Sequence, residues 1–425
     1  MGKKLNFIIL AILVLVCVLT ASNYQELSST IDTGDTAWML VASAFVLLMT
    51  PGLSFFYGGM VNKKNIISTM LQSFIALGVI SVLWVIVGFS LAFGDSIGGI
   101  IGNPMTYFAF NNVGSEPNPA FASTIPFLLF ALFQLKFAII TPALITGSFA
   151  GRVRFRSYIS FMVLFSIFIY SPLAHMTWHP DGLFRNWGVL DFAGGTVVHM
   201  SAGFAALAGA VFLGKRKTAF ESHANVPYVI LGTGLLWFGW FGFNAGSALG
   251  ANADAVIAFA NTNIASATAM ITWVFYERML GRKMSAVGAC IGAVVGLVAI
   301  TPAAGFVNIG QSMFIGFLAS IISNWAIHLK NKSGIDDTLD VFPSHGIGGI
   351  VGMLLTAVFA SGVGLIYGET TTFLYHLLAL AITTVFCFGG SYLLYMLVDV
   401  LLSMRVQEYQ EEKGLDLSQH GEQIE

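Results

Sequence analysis

Long apolar stretches follow one another along the chain, separated by short polar segments. Each stretch is long enough to cross the roughly 30 Å hydrocarbon core of a bilayer at about 1.5 Å per residue. The pattern predicts an all-α polytopic membrane protein with eleven transmembrane helices, which we call spans 1 to 11. Their predicted boundaries are 37–60, 66–93, 122–147, 157–178, 192–213, 227–247, 254–276, 285–301, 305–329, 345–363 and 371–403.

The first 22 residues form a separate unit. Lys3 and Lys4 precede an apolar stretch from Leu5 to Leu19, and Thr20-Ala21-Ser22 follows it. This is the form of a secretory signal peptide, so we expect residues 1–22 to be removed. A retained additional helix is the alternative. In either case the segment from Asn23 to Ala37 is expected outside the cytosol.

Basic residues predict the orientation of the spans. They cluster in the loops after spans 1, 3, 5, 7 and 9, whereas the opposite loops carry Arg185 alone. Positively charged loops stay in the cytoplasm, so the N-terminus is predicted outside and the C-terminus inside the plasma membrane. Residues 23–403 then form the membrane domain and residues 404–425 a cytoplasmic tail. The clusters are Lys63 and Lys64; Arg152, Arg154 and Arg156; Lys215, Arg216 and Lys217; Arg278, Arg282 and Lys283; and Lys330 and Lys332.

Composition agrees with lipid as the main solvent of the chain. Hydrophobic residues make up 56% of it and charged residues 9%, against about a quarter charged in soluble domains. A net charge of −2 indicates neither a nucleic-acid nor a strongly charged partner. The three cysteines, Cys17, Cys290 and Cys387, lie in apolar runs without metal-ligand spacing, so no metal, cofactor or disulfide is expected.

One motif occurs twice. Residues Asp191 to His199 open span 5, and residues Asp340 to Gly349 lead into span 10. Each segment has an acid, several small residues and a histidine. Spans 5 and 10 are the fifth members of two successive sets of five, which must have opposite orientations because five is odd. The echo therefore predicts a 5+5 inverted repeat with a site at the repeat interface, plus one extra helix.

His199 and His345 are the candidate chemical groups of the two motifs. An imidazole in hydrocarbon is costly unless it faces a cavity or a partner. One interpretation is two unrelated histidines bonded to backbone carbonyls. The other is a pair brought together at a pore, where it shares one proton, offers a donor and an acceptor, and relays protons.

Aromatic residues form a second candidate group. Phe133 and Phe137 are four residues apart on span 3, Phe243 and Ser247 are four apart on span 6, and Trp178 ends span 4. Aromatic rings near membrane ends commonly form an interfacial belt. The alternative is a vestibule in which ring faces attract a cation and a hydroxyl accepts a hydrogen bond.

Five motifs closely resemble the ammonium transporter (Amt/Mep/Rh) family, on its bacterial and archaeal Amt side. They occur in the family's order and extend the resemblance over roughly residues 35–422. The motifs are Pro51–Gly59, Asp191–His199, Phe241–Ser247, Asp340–Gly346 and Gly414–Glu422.

The resemblance implies a homotrimer of eleven-helix protomers, each with its own pore. Trp178, Phe137 and Ser247 match the outer ammonium-recruiting site of the family. Phe133 and Phe137, with Phe243, match the phenyl gate below it. The resemblance also implies that a PII-type nitrogen-signalling protein can block the cytoplasmic mouth of the pore, and that the tail packs on the same face.

His199 and His345 match the family's twin pore histidines. Asp191 matches the buried acid that supports the pore, Thr301 a threonine at the inner end of the path, and Asp340 belongs to the same structural and proton-path group. A dry pore cannot carry a bare cation, so we expect ammonium to lose its proton and to pass as ammonia. Whether the proton follows along the histidines, which would make transport electrogenic, stays open.

Lys136 departs from the family pattern, in which an uncharged residue is expected beside Phe137. Helix phase turns Lys136 about 100° away from Phe137, toward a neighbouring helix or another protomer. A lysine in the vestibule would instead repel ammonium.

Other classes fit the sequence less well. A water channel would need two copies of the Asn118-Pro119-Ala120 signature, and a potassium channel would need a carbonyl filter sequence. An intramembrane enzyme could use Ser247 and a histidine, but no orienting motif accompanies them. An ammonium sensor with little net flux remains the alternative, although only about 20 residues follow span 11.

Overall fold

The computed structural model describes residues 2–20 and 31–424. It begins with a helix, Gly2–Thr20, which covers the predicted signal peptide up to its last two residues. Ala21 and Ser22, at the predicted cleavage point, lie outside the described residues, as does the segment 23–30. Removal of residues 1–22 therefore stays a prediction.

Eleven apolar helices follow within the described residues. Ten are long enough to span a membrane, and the eighth, Ala286–Ile300, is shorter, as the sequence predicted. This confirms the expected all-α polytopic membrane fold. The ten long spans are Thr33–Met60, Lys63–Phe93, Phe127–Phe149, Phe155–Asn186, Gly195–Leu213, Val226–Gly246, Ala253–Met279, Ile309–Ser333, Phe342–Phe359 and Thr370–Leu402.

Shorter elements lie at the ends of the spans, between them and after them. Two strands, Ser96–Ile97 and Ile101–Gly102, form an antiparallel pair after span 2. Single turns of 3-10 helix occur at Lys63–Asn65, Phe108–Phe110 and Leu365–Tyr367. The tail contains a short helix, Glu408–Lys413, and a π-helical turn, Asp416–His420.

Four spans contain a π-helical turn, a feature that is frequent at functional sites. In spans 2 and 4 it interrupts the helix, at Trp84–Gly88 and Ser166–Tyr170. In spans 5 and 10 it forms the first turn, at Gly195–Met200 and Phe342–Ile347. The two motifs that echo each other in the sequence thus open their spans in the same unusual geometry, which agrees with the predicted repeat.

Polar caps and glycines fit the spans to one another. Asp32 accepts a hydrogen bond from the backbone nitrogen of Asp35 at 2.8 Å and so starts span 1. A methyl group at Gly296 of span 8 would lie 2.6 Å from the carbonyl oxygen of Ala265 in span 7, so only glycine allows this approach. The helix backbones approach one another closely in this way. The polar side chains of the core lie in the interior of the bundle.

The tail packs on one face of the bundle, which we call the tail face. The carboxylate of Asp416 accepts from the backbone nitrogens of Ile67 and Ser68 at 3.0 and 2.7 Å. Glu411 is buried and accepts from the backbone nitrogen of Lys217 at 2.5 Å and from Arg405 at 3.0 Å. The tail is thus an ordered part of the fold that bridges the loops after spans 1 and 5.

A buried arginine links further loops at the tail face. Arg152 has no exposed surface and lies 3.3 Å from the carboxylate of Asp336, which also pairs with Arg216. Burial alone would raise the pKa of Asp336, but the hydrogen bond from Arg216 and the charge of Arg152 lower it to about 2. The basic loops after spans 3, 5 and 9 are therefore joined by one ionic cluster.

Candidate functional site

A cavity of about 460 Å³ opens on the face opposite the tail. Phe137, Trp178 and Ser247 line it together, although they come from spans 3, 4 and the end of span 6. The rings of Phe137 and Trp178 are nearly perpendicular, with centroids 5.8 Å apart. The hydroxyl of Ser247 donates to the carbonyl oxygen of Phe243 at 2.8 Å, so its lone pairs remain free to accept.

Phe137 of the cavity wall packs against two further phenyl rings, those of Phe133 and Phe243. Phe133, Phe137 and Phe243 are all buried. The centroids of Phe137 and Phe243 lie 4.2 Å apart, and those of Phe133 and Phe137 lie 5.0 Å apart. Rings at these distances are in van der Waals contact, so passage beyond them requires a ring to move.

The two histidines lie beyond the rings. Their Nδ1 atoms are 3.4 Å apart, and His199 and His345 are 1% and 4% exposed. An Nδ1–Nδ1 contact needs one donor and one acceptor, so the pair holds one proton between these atoms. The ring of His199 lies 6.1 Å from that of Phe243 and 5.4 Å from that of Trp240. Phe243 therefore lies next to Phe137 on one side and next to His199 on the other.

Asp191 fixes the turn that carries His199. Its carboxylate accepts from the backbone nitrogens of Gly194, Gly195 and Thr196 at 2.8, 2.6 and 2.7 Å, and from the Thr196 hydroxyl at 2.6 Å. Gly194 takes a φ of 118°, which favours glycine. The backbone oxygen of Asp191 accepts from Trp178 Nε1 at 3.1 Å. One residue thus couples the cavity wall to the histidine turn.

The counterpart of Asp191 in the second repeat is Asp337, rather than the Asp340 that the sequence echo indicated. Asp337 precedes His345 by eight residues, as Asp191 precedes His199. Its Oδ2 accepts from the backbone nitrogen of Phe342 at 2.8 Å, five residues on, as Asp191 accepts from Thr196. The equal spacing was the signal in the sequence, but three acids crowd this loop.

Asp340 has a different environment. It takes a φ of 56° and pairs with Lys330 of span 9 at 2.6 Å. Asp337 is fully buried, and its Oδ1 has no hydrogen-bond partner among the described residues. Burial and the nearby charge of Asp340 together raise the pKa of Asp337 to about 6, although the charge of Lys330 opposes both.

Thr301 lies at the C-terminal end of span 8, and this corrects its expected place at the inner end of the path. Its Oγ1 accepts from Trp240 Nε1 at 2.9 Å and donates to the Leu297 carbonyl at 2.8 Å. The next residue, Pro302, accepts from the backbone nitrogen of Phe192 at 3.1 Å, beside Asp191. Span 8 runs away from the tail face, so Thr301 lies on the cavity side and holds the ring that stacks on His199.

A small cavity lies beside His345. That histidine lines a cavity of only about 10 Å³, together with Tyr57, Leu339 and Ser344 among others. The Tyr57 hydroxyl donates to the carbonyl oxygen of Leu144 at 2.9 Å.

Lys136 does not line the cavity beside Phe137. It is half-buried and shares a helix face with Leu132 and Leu128, four and eight residues earlier, whereas Phe133 and Phe137 are buried. Lys136 therefore faces away from the aromatic site, in agreement with helix phase. Two residues that do line the cavity, Gln134 and Thr177, had no place in the sequence interpretation. A polar side chain three residues before Phe137 in an apolar span was the available signal.

Within residues 2–20 and 31–424, no cluster of three or more histidine, cysteine or acidic side chains could hold a metal ion. Buried aromatic rings and imidazoles in contact with one another inside a bundle of membrane-spanning helices are typical of a membrane transport protein.

The model of the Ammonium Transporter Family matches residues 37–425. An ammonium transporter of Aquifex aeolicus is 48% identical over 399 residues, which cover 92% of this chain and 93% of the relative. The crystal structure of Saccharomyces cerevisiae Mep2 superposes with a TM-score of 0.83 at 34% identity, covering 89% of this chain and 88% of the other. A structure described as a sensor Amt protein gives 0.85 at 29% identity, covering 91% and 98%.

The chain belongs to the ammonium transporter family. This confirms the resemblance found in the sequence, and it makes the protein a multi-pass membrane transporter rather than an enzyme.

Proposed function

We propose that the protein recruits ammonium ions in the cavity formed by Phe137, Trp178 and Ser247, removes a proton near the phenyl gate, and conducts ammonia past His199 and His345. The observation that carries the proposal is the unbroken succession from cavity to rings to histidines. Phe243 connects the rings to the histidines, because its ring centroid lies 4.2 Å from that of Phe137 and 6.1 Å from that of His199.

The cavity offers what a small cation needs. Two ring faces meet almost at right angles, and each can attract a positive charge through its quadrupole. The free lone pairs of Ser247 add a hydrogen-bond acceptor. A cation without N–H groups could use the rings but would gain less from the hydroxyl.

The gate and the histidines favour a neutral molecule over the ion. Burying an unpaired ion in an apolar medium costs tens of kcal/mol. Losing a proton costs about 1.4 kcal/mol per pKa unit, and ammonium at neutral pH needs only a few such units. Deprotonation at the gate is therefore the lower barrier, and it excludes potassium, which has no proton to lose.

The histidine pair supports passage of the proton as well. The 3.4 Å contact between the Nδ1 atoms already shares one proton, and His199 Nε2 is buried without a partner among the described residues. An arriving proton can add at one ring while another leaves from the second. We propose that the proton follows this route, so that transport carries net charge.

The remaining proposals concern the membrane setting. Basic loops lie on the tail face, which supports a cytoplasmic tail, an outward-facing cavity and residence in the plasma membrane. We also propose removal of residues 1–22, a membrane domain from 23 to 403, assembly as a homotrimer that imports nitrogen, and regulation by a PII-type protein at the tail face. These rest on the family resemblance and on the docked tail of residues 404–425.

A sensor with little net flux is the second candidate, because the likeness to the sensor Amt structure covers 91% of the chain. Flux into proteoliposomes distinguishes the two. Ammonium added outside vesicles containing the purified protein should produce a transient current and an internal pH change, with potassium chloride as the control. Ammonium binding without any flux above that of empty vesicles would support the sensor and contradict the transporter.

A further inference from the structure

His179 follows the helix Ser171–Trp178 and begins a tight turn. Its side chain is 8% exposed, and its Nδ1 accepts a hydrogen bond from the backbone nitrogen of Asp181 at 3.0 Å. A backbone N–H can only donate, so Nδ1 must offer a lone pair and the neutral ring holds its proton on Nε2. The turn therefore requires an uncharged His179, because a protonated imidazole has no acceptor left.

The ring of His179 borders a second cavity, of about 530 Å³, which is open to solution. The second cavity shares Phe121 with the cavity of Phe137, Trp178 and Ser247, which we call the recruitment cavity. Both cavities therefore open on the face opposite the tail. Protons from the solution on that side can reach the ring.

The titratable groups around His179 come from three places in the chain. His175, one turn earlier, stacks on it with ring centroids 4.3 Å apart. Asp181, in the turn, places its Oδ2 4.0 Å from Nδ1 of His179. Asp95 and Tyr107, from the segment after span 2, line the second cavity with it. Two carboxylates thus share this cavity with the ring and can pair with it once it is charged.

His175 does not depend on its charge in the same way. Its Nδ1 lies 2.9 Å from the carbonyl oxygen of Ala92, which only accepts, so this nitrogen carries a proton. Its Nε2 lies 2.8 Å from the hydroxyl of Ser96, which can donate or accept. Both contacts survive when His175 gains a proton, whereas the contact between His179 and Asp181 does not.

The turn itself is closely packed. The backbone nitrogen of Gly182 donates to the carbonyl oxygen of His179 at 2.9 Å, and that of Leu183 donates to the carbonyl oxygen of Gly99 at 2.9 Å. A methyl group at Gly182 would overlap the carbonyl oxygen of His175. A rearrangement of the turn must therefore displace its neighbours, because no free space absorbs it.

We propose that His179 is a positioning residue that makes the recruitment cavity sensitive to the pH of the outer solution. Residues of that cavity flank the turn, since Trp178 precedes it and Arg185 follows it. When the ring gains a proton, the N–H of Asp181 loses its acceptor and the imidazolium pairs with the Asp181 carboxylate instead. The turn shifts, Trp178 shifts with it, and ammonium binds more weakly at low pH. This inference rests on the proposed function.

The test measures ammonium-driven current in reconstituted vesicles with the same pH on both sides, at pH 7.5 and at pH 5. Ammonium stays almost wholly protonated over this range, so the substrate concentration does not change. The KM of wild type should rise about threefold to tenfold at pH 5, which corresponds to the loss of one hydrogen bond between neutral groups. A change confined to the pore histidines would appear in the maximal current rather than in the KM.

Two substitutions of His179 should have opposite effects. His179→Asn places an amide oxygen near the position of Nδ1 and cannot gain a proton, so its KM should stay at the wild-type value of pH 7.5 at both pH values. His179→Leu removes the acceptor, so its KM should be raised at both. The matched control is His328→Asn, at an exposed histidine of span 9 that lines neither cavity, and it should keep the pH dependence of wild type.

Thermal unfolding in detergent tests the same residue without transport. Because the folded turn requires the neutral ring, the melting temperature of wild type should fall further between pH 7.5 and pH 5 than that of His179→Asn. A wild-type KM that changes less than twofold, or a His179→Asn KM that rises as much as that of wild type, overturns the inference. A wild type without ammonium current contradicts the proposed function. The melting temperatures then decide on the inference, and equal falls in both proteins would overturn it.

Discussion

Removing the carboxylate of Asp191 should destabilise the protein and abolish transport. The two oxygens accept from three backbone nitrogens and one hydroxyl at 2.6 to 2.8 Å, all in the first turn of span 5. In Asp191→Ala the three buried amides lose their acceptor. At about 1 to 3 kcal/mol for each unsatisfied donor, the free energy of unfolding should fall by about 3 to 9 kcal/mol. Water that enters the space left by the carboxylate would bring the loss in the free energy of unfolding toward about 3 kcal/mol.

The same change should disturb the site itself. Asp191 links Trp178 of the cavity to the turn that carries His199. Once the turn relaxes, the 3.4 Å contact between His199 and His345 is no longer held from this side. We therefore expect loss of ammonium flux even in vesicles that contain folded protein. Asp191→Asn keeps one acceptor oxygen and should fall between wild type and Asp191→Ala.

Two assays test this prediction. Thermal unfolding in detergent reports stability, and ammonium flux in proteoliposomes reports function. Asp35→Ala is the control, because the carboxylate of the half-buried Asp35 also accepts from a backbone nitrogen, that of Ala251 at 2.8 Å. An Asp191→Ala protein that unfolds at the wild-type temperature and conducts at the wild-type rate would refute the reasoning.

Three further predictions concern other parts of the structure. The pKa of Asp337 is about 6, above its ordinary value of 3.8, so its stabilising effect is complete below pH 4 and is lost as pH rises through 6. Wild type should then lose up to about 3 kcal/mol between pH 4 and 7 relative to Asp337→Asn, measured by thermal unfolding. Trp240→Phe and Thr301→Val should each cost about 1 kcal/mol, and the double variant no more than either, because they share one hydrogen bond. Glu411→Ala should release the tail, so that trypsin cleaves at Arg405 faster than in wild type; equal cleavage rates would contradict this.

The sequence predicts the spans well because apolar continuity is a direct consequence of the lipid solvent. Ten of the eleven predicted spans have the length to cross a membrane, and the short eighth was expected. The ends of the spans are less predictable, because local hydrogen bonds determine where each helix begins and ends. Span 3 begins at Phe127 rather than at 122, because the backbone nitrogen of Phe127 donates to the carbonyl oxygen of Glu116 in the preceding loop.

The candidate site, like the spans, can be predicted from the sequence only in part. His199, His345 and the aromatic residues are visible in the sequence because a motif repeats and polar or aromatic groups stand out in apolar spans. The choice between Asp337 and Asp340 is indicated in the sequence only by the equal spacing to the histidine, because it depends on which acid of one loop turns inward. The place of Thr301 depends on its contact with Trp240, 61 positions away in the chain.

The most direct test of the central claim replaces both pore histidines with leucine and measures ammonium-driven current across reconstituted bilayers. His328→Leu provides the matched control, because His328 is an exposed histidine of span 9. If the pair of imidazoles relays the proton, the His199→Leu, His345→Leu protein should carry no ammonium-driven current while His328→Leu conducts like wild type. An undiminished current in the double variant would contradict the account.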